Sequence, residues 1–250
     1  VDPADRLRAH RHRPRAKIVG APCAVGFDID HTLCIDNKLE RVAFLHLLVQ
    51  VIDDGGVALG SLAEESNRID DLLAFTRGGG CTIEAAVRRF VSERGGAPAD
   101  QYVTGFKRMA LSLAESFVVP DPDARPTIAA LEQRGVAVAV LSNGWNPLQV
   151  TKARRAGFNG TVLASADLGV QKPNPRAFEA LAHELRTDPA RCFYVGDDPR
   201  SDVGGALGAG FQAVWLDHEG KSYPPDLPPP THVVHSLVEV MALVAAEAGV

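Results

Sequence analysis

Several things this chain lacks narrow it before any motif is read. No apolar run approaches the roughly 20 residues a helix needs to span a bilayer, so a soluble, cytoplasmic protein is expected. Cysteine is sparse. Cys23, Cys34, Cys81 and Cys192 form no CxxC pair and have no histidine at zinc-finger spacing. That argues against a disulfide framework or a zinc finger and for four reduced thiols. Positive charge is in deficit, with 26 Lys+Arg against 31 Asp+Glu and a net charge of −5. Such a chain is a poor generic ligand for nucleic acid or a membrane surface, because their phosphates repel it. Lysine is rarer still: six residues against 20 arginines. Arg6, Arg8, Arg11, Arg13, Arg15 and Lys17 crowd the start, but no apolar stretch of the kind found in a secretion signal follows them. Residues 1–22 are expected to form a solvated basic tail. No internal repeat recurs at a fixed period.

What is present is ordinary globular composition, 46% hydrophobic and 23% charged over 250 residues, enough for an α/β domain with or without a smaller companion. Ala24–Asp28, Val136–Leu141, Cys192–Val195 and Ala213–Leu216 are short apolar runs that suit strands buried on both faces. Thr231–Val234 is a weaker fifth. Helical patterns alternate with them at 126–134, 149–156, 175–185, 203–209 and 237–246. This rhythm predicts a doubly wound, parallel, Rossmann-like sheet. Residues 37–117 break it. Four helical stretches (39–51, 62–75, 82–94 and 100–117) follow one another with no strand between, punctuated by Gly78-Gly79-Gly80 and Gly95-Gly96. The expected organisation is a core of 23–36 and 118–250 with an all-helical insert, 37–117. Pro224–Pro230 reads as a stiff loop.

In open α/β sheets ligands bind beyond the carboxyl ends of the strands. Polar residues cluster there: Asp28, Asp30, His31 and Thr32 after the first strand, Ser142-Asn143-Gly144 after the second, and Gly196-Asp197-Asp198 through Asp202 after the third. Lys172-Pro173 lies between the last two. Each has a plain alternative. Asp28 and Asp30 could be an Asx-rich turn, although two carboxylates after a buried strand are costly without a cation. Ser142 and Asn143 could cap the next helix, and Asp202 the helix from Val203. Lys172 could be a surface lysine.

Together these segments resemble the haloacid dehalogenase-like hydrolase superfamily. The first looks like its DxDxT nucleophile motif. Ser142 matches its strand-end Ser/Thr, Lys172-Pro173 its Lys-Pro motif, and Asp197 to Asp202 its GDxxxxD motif. The resemblance covers residues 23–36 and 118–220, and the helical insert looks like the family's first cap class. It implies a phosphatase acting on a small soluble phosphomonoester. Asp28 would be the nucleophile, forming an aspartyl-phosphate, and Asp30 would protonate the leaving oxygen and then activate water. Mg²⁺ would be held by the side chains of Asp28 and Asp197 and the backbone carbonyl of Asp30, with Asp202 in support. Lys172 would neutralise charge. The Ser142 hydroxyl and backbone N–H groups near Asn143 would hold phosphoryl oxygens. A phosphoryl-transferring mutase and a non-catalytic binding module share the scaffold, whereas dehalogenases of the family lack the second aspartate. His31 replaces the family's usual glycine, at a cost if φ is positive; it reads as a turn residue or as one facing substrate. Arg77, before the glycine run, is a candidate to reach from the insert toward substrate, or else a helix-end cation in solvent.

Overall fold

The computed structural model describes residues 23–97 and 99–248, so the basic tail expected at 1–22 lies outside the described residues. Among the described residues eight strands form two sheets. β1 (Ala24–Phe27), β4 (Ala137–Ser142), β5 (Val162–Ala164), β6 (Cys192–Gly196), β7 (Gln212–Leu216) and β8 (His232–Val234) make a six-stranded sheet in the order β5-β4-β1-β6-β7-β8. Every neighbouring pair in it is parallel. β2 (Cys34–Ile35) and β3 (Val119–Pro120) form a small antiparallel pair at the root of the helical insert.

The strand order explains where a site can form. The chain runs from β1 outward through β4 to β5, then returns across β1 to build β6, β7 and β8. Connections therefore leave β4 and β6 in opposite directions, which opens a crevice at the carboxyl end of β1.

Period-two alternation sorts the strand side chains into two layers. Val25, Phe27, Phe193, Val195 and Val214 pack with Ile128 and Leu131 of α5 (Ala124–Gln133) and with Leu237 and Val240 of α10 (Leu237–Ala248). On the other face Ala24, Leu141 and Tyr194 meet Phe178 and Leu181 of α8 (Pro175–Leu185). A Cβ on Gly26 would lie 2.5 Å from Leu181 Cδ2, so any side chain here would force Leu181 of α8 to move.

The described residues of the insert form four helices: α1 (Leu39–Asp53), α2 (Leu62–Arg77), α3 (Ile83–Glu93) and α4 (Asp100–Phe117). Phe44 packs between Phe90 and Phe106 in tilted contacts, with ring centroids at 5.1 and 4.5 Å. Arg94 is buried with its guanidinium paired to Glu65, bonded to the Phe90 carbonyl at 2.9 Å and lying 3.5 Å from the Phe90 ring centroid.

The expected elements are present within a few residues. The structure adds β2, β3, β5 and the single-turn α7 (Ser165–Leu168), each too short for a periodic signal. The last-but-one helix also differs from expectation. It begins at Pro199 as a π-helical segment, Pro199–Gly204, and continues as α9 (Gly205–Gly208). Asp198, rather than Asp202, caps it, accepting the N–H groups of Arg200 and Ser201 at 2.9 and 2.6 Å. Among the described residues no helix is long and apolar enough to cross a membrane, and Cys34, Cys81 and Cys192 are free thiols.

Candidate active site

Asp28 is the first residue beyond β1. Its N–H still bonds the Val195 carbonyl at 2.9 Å, so its backbone is fixed to β6 while its carboxylate turns into the crevice. Lys172 Nζ donates to Asp28 Oδ1 at 2.6 Å, to Asp202 Oδ1 at 2.7 Å and to the Tyr194 hydroxyl at 2.9 Å. Its side chain is 3% exposed, which removes the surface-lysine alternative. Tyr194 donates in turn to the Leu141 carbonyl at 2.8 Å. Asn143 holds the Lys172 backbone with both ends of its amide: Nδ2 donates to the Lys172 carbonyl at 3.0 Å and Oδ1 accepts the Lys172 N–H at 2.9 Å. Its side chain thus sets the lysine loop, and neither Ser142 nor Asn143 caps α6 (Leu148–Arg155), whose N-cap is Pro147. Ser142, buried at the end of β4, lines the same cleft.

Asp202 is buried because Gly196 leaves room for it. A Cβ at Gly196 would sit 2.4 Å from Asp202 Cγ. Besides Lys172, Asp202 accepts the Asp198 N–H at 3.0 Å. One oxygen each from Asp28, Asp197 and Asp202 lies within 4.8 Å of the others. The electrostatics reflect this crowding. Burial first, then the charges of Asp28, Asp202 and Asp198, push the Asp197 carboxyl up to about 8. Burial raises Asp28 to about 6 against the opposing pull of Lys172. Three hard oxygen donors that resist ionising together, with one ammonium among them, suit a divalent cation of the Mg²⁺ type. Asp202 is the most committed elsewhere, since both its oxygens already accept bonds from the protein.

Asp30, two residues on, is bound from a direction the sequence did not suggest. Lys152 of α6 donates to its two oxygens at 2.8 and 3.0 Å and to Asp36 Oδ2 at 2.9 Å. Lys152 is 1% exposed and Asp30 31%. Burial works against the Lys152 ammonium, but the charges of Asp30, Asp36 and Glu40 outweigh it and raise its pKa. Asp36 is held below the usual carboxylate range because Lys152 overcomes its burial. Asp30 is raised, burial outweighing Lys152. Asp30 thus differs from Asp28 in its cation and in its access to solvent.

His31 is exposed with φ 61°, the strained region that glycine would tolerate, and it lines the cleft. Thr32 is buried, its hydroxyl without a partner. Arg77 ends α2 and also reaches the cleft: its guanidinium stands 3.6 Å from Glu40 Oε2, and it lines one cavity of about 620 Å³ with Asp28, Asp30, Ser142, Lys172 and Asp197. The insert is tied to the core there, Gln171 Nε2 donating to the Arg77 carbonyl at 3.0 Å. Lys152, Asp36, Tyr194 and Glu40 are the members of this arrangement that sequence reasoning missed.

Comparison with known proteins places this fold in a family. Residues 24–210 match the family profile of haloacid dehalogenase-like hydrolases. The chain is 34% identical over 159 residues to a phosphoserine phosphatase of Thermus thermophilus, spanning 60% of that protein's length. It is 33% identical over 218 residues to a glyceraldehyde 3-phosphate phosphatase of Methanothermobacter thermautotrophicus, covering 78% of this chain and 86% of the relative. A crystal structure of a 2-haloacid dehalogenase from Pseudomonas syringae pv. Tomato DC3000 superposes with a TM-score of 0.69 at 25% identity, covering 91% of this chain and 99% of the other.

Proposed function

We propose that this chain, which belongs to the haloacid dehalogenase-like hydrolase family, is a Mg²⁺-dependent phosphatase that hydrolyses a small phosphomonoester through an aspartyl-phosphate on Asp28. The observation that carries this reading is the pair Asp28 and Asp30 in two different electrostatic settings, one beside Lys172 and the other on Lys152. Two carboxyls set apart in this way suit a nucleophile and a proton carrier.

In the first half-reaction an Asp28 oxygen attacks phosphorus, a new P–O bond forms, and the bond to the leaving oxygen breaks. Asp30 delivers its proton to that oxygen, which departs as an alcohol. In the second half-reaction Asp30 accepts a proton from water as the water oxygen attacks the same phosphorus. Inorganic phosphate leaves and Asp28 is restored. Lys172 faces the charge that gathers on Asp28 and the phosphoryl group. The Ser142 hydroxyl and the backbone N–H groups near Asn143 would hold the non-bridging oxygens. Asp28, Asp197 and the carbonyl of Asp30 would hold Mg²⁺, with Asp202 in support; the cation neutralises charge that otherwise opposes attack on a dianion. The helical insert serves as a cap over the strand ends and shields the reaction from bulk water.

Phosphate release from an aryl phosphate tests this. Turnover is expected with Mg²⁺, to vanish in excess chelator, and to fall below about a hundredth in Asp28→Asn with the fold intact, since an amide is a far poorer nucleophile. Chloride release from a chloroalkanoate with no phosphate release would replace the reading with dehalogenation.

A further inference from the structure

A second chamber lies against the phosphoryl cleft. It has a volume of about 310 Å³, and its walls come from the insert (Leu73, Cys81 and Ile83) and from the core (Trp145 and Val170). Arg77, Asn143 and Gln171 line both spaces, so the chamber adjoins the space where a phosphoryl group beside Asp28 would sit. We propose that the chamber binds an uncharged, largely apolar leaving group. On the phosphatase reading, which this inference rests on, the preferred substrates are alkyl or aryl monophosphates rather than polyol, nucleotide or amino-acid phosphates.

Most hydrogen-bonding atoms of the polar side chains in the lining are already engaged; the exceptions are Gln171 Oε1 and the Arg77 guanidinium, which faces Glu40 at 3.6 Å. The Thr76 hydroxyl donates to the Leu72 carbonyl at 2.8 Å. Ser165 Oγ accepts the Gly144 N–H at 3.0 Å and donates to the Gly144 carbonyl at 3.3 Å. The Gln171 amide bonds the Arg77 carbonyl, and the Asn143 amide bonds the Lys172 backbone. Trp145 Nε1 donates to Glu40 Oε1 at 3.0 Å, and the other Glu40 oxygen faces Arg77 at 3.6 Å. A ligand hydroxyl entering here gives up its water and meets side chains whose hydrogen bonds are in use. A ligand carboxylate meets Glu40, whose charge offsets that of Arg77 beside it. An alkyl chain or ring meets Leu73, Ile83, Trp145 and Val170 and gains from leaving water. The volume is at the lower end of small-molecule pockets, which run from about 300 to 1,000 Å³, and favours a compact group.

A homologous series isolates the effect, since unbranched alkyl phosphates share nearly the same leaving-group basicity. In the wild-type enzyme, kcat/KM is expected to climb about fourfold per methylene from methyl to butyl phosphate, equivalent to ~0.8 kcal/mol. Propyl phosphate is expected to exceed glycerol phosphate, its dihydroxy counterpart, by tenfold or more. Val170→Trp, which fills the chamber, should flatten the series, and the near-isosteric Val170→Thr should weaken it while keeping the packing. Binding of methyl- and butylphosphonate to Asp28→Asn, followed by calorimetry, gives a readout that needs no turnover. Tighter binding of the butyl compound supports the chamber even if no ester is hydrolysed, an outcome that would overturn only the phosphatase reading. A flat series with phosphate released, a preference for glycerol phosphate or phosphoserine, or equal phosphonate affinities would overturn the inference.

Discussion

Replacing Lys152 with methionine removes a buried ammonium while keeping the length of the side chain. Asp30 and Asp36 then face one another without the cation that holds them at 2.8 to 3.0 Å. Removing one partner of a buried ion pair costs ~3–5 kcal/mol, because the remaining charge is left uncompensated. The variant can avoid that cost by protonating one carboxyl, which at pH 7 takes about 4 kcal/mol from an ordinary carboxylate pKa. Both routes give the same range, a large share of the ~5–15 kcal/mol that holds a typical domain together. The pH dependence follows with a definite sign. Lys152 holds Asp36 below its unfolded value, so that stability is present above the unfolded pKa and lost as pH falls through the lower folded pKa. In the variant the protonation route falls by about 1.4 kcal/mol per pH unit on acidification. Urea unfolding of both proteins in chelator should therefore show a gap of about 3–5 kcal/mol at pH 7 that narrows to about 1–2 kcal/mol at pH 5. Lys152→Arg should recover part of it. A gap below about 1 kcal/mol at pH 7, or one that widens on acidification, would refute the reasoning.

Two further outcomes are expected. In chelator, Asp197 keeps its proton up to about 8 in the folded chain but loses it near 3.9 when unfolded; wild-type stability should therefore fall as pH rises between those values, by at most about 1.4 kcal/mol per unit. Asp197→Asn should flatten that slope in thermal scans, and an unchanged slope would contradict the crowding described around Asp28. Gly196→Ala drives a methyl to 2.4 Å from Asp202 Cγ, so it should displace Asp202 from Lys172, cost about 1–3 kcal/mol and lower phosphate release at least tenfold; wild-type turnover would show that the Asp202–Lys172 contact is dispensable.

The parallel sheet was legible because β1, β4 and β6 are apolar runs buried on both faces, and each ends in the polar residues that a strand-end crevice needs. Asp28, Lys172 and Asp197 follow from that placement and from the family motifs. Lys152 was not legible. It stands in Lys152-Ala153-Arg154-Arg155, which reads as a solvated basic face, while its partners Asp30 and Asp36 lie 122 and 116 residues away. Tyr194 was hidden for a different reason: a tyrosine in a buried strand reads as core, and only the fold brings its hydroxyl to Lys172. Asp198, and not Asp202, caps the helix after β6 because that helix starts earlier, with a π-helical turn. The β2–β3 pair offers two residues per strand, below any period, yet it pairs the two ends of the chain that flank the insert.

The central claim is a covalent phosphoryl group on Asp28, with Asp30 needed to remove it. Asp30→Asn, mixed with an activated aryl phosphate and Mg²⁺ and quenched in acid, should accumulate an enzyme heavier by one PO₃ unit, because the good leaving group needs no proton donor while hydrolysis of the intermediate lacks its base. Peptide mapping should place that mass on the segment carrying Asp28, and Asp28→Asn/Asp30→Asn should abolish it. An adduct on any other residue, or its absence under conditions where the wild-type enzyme releases phosphate, would contradict the account.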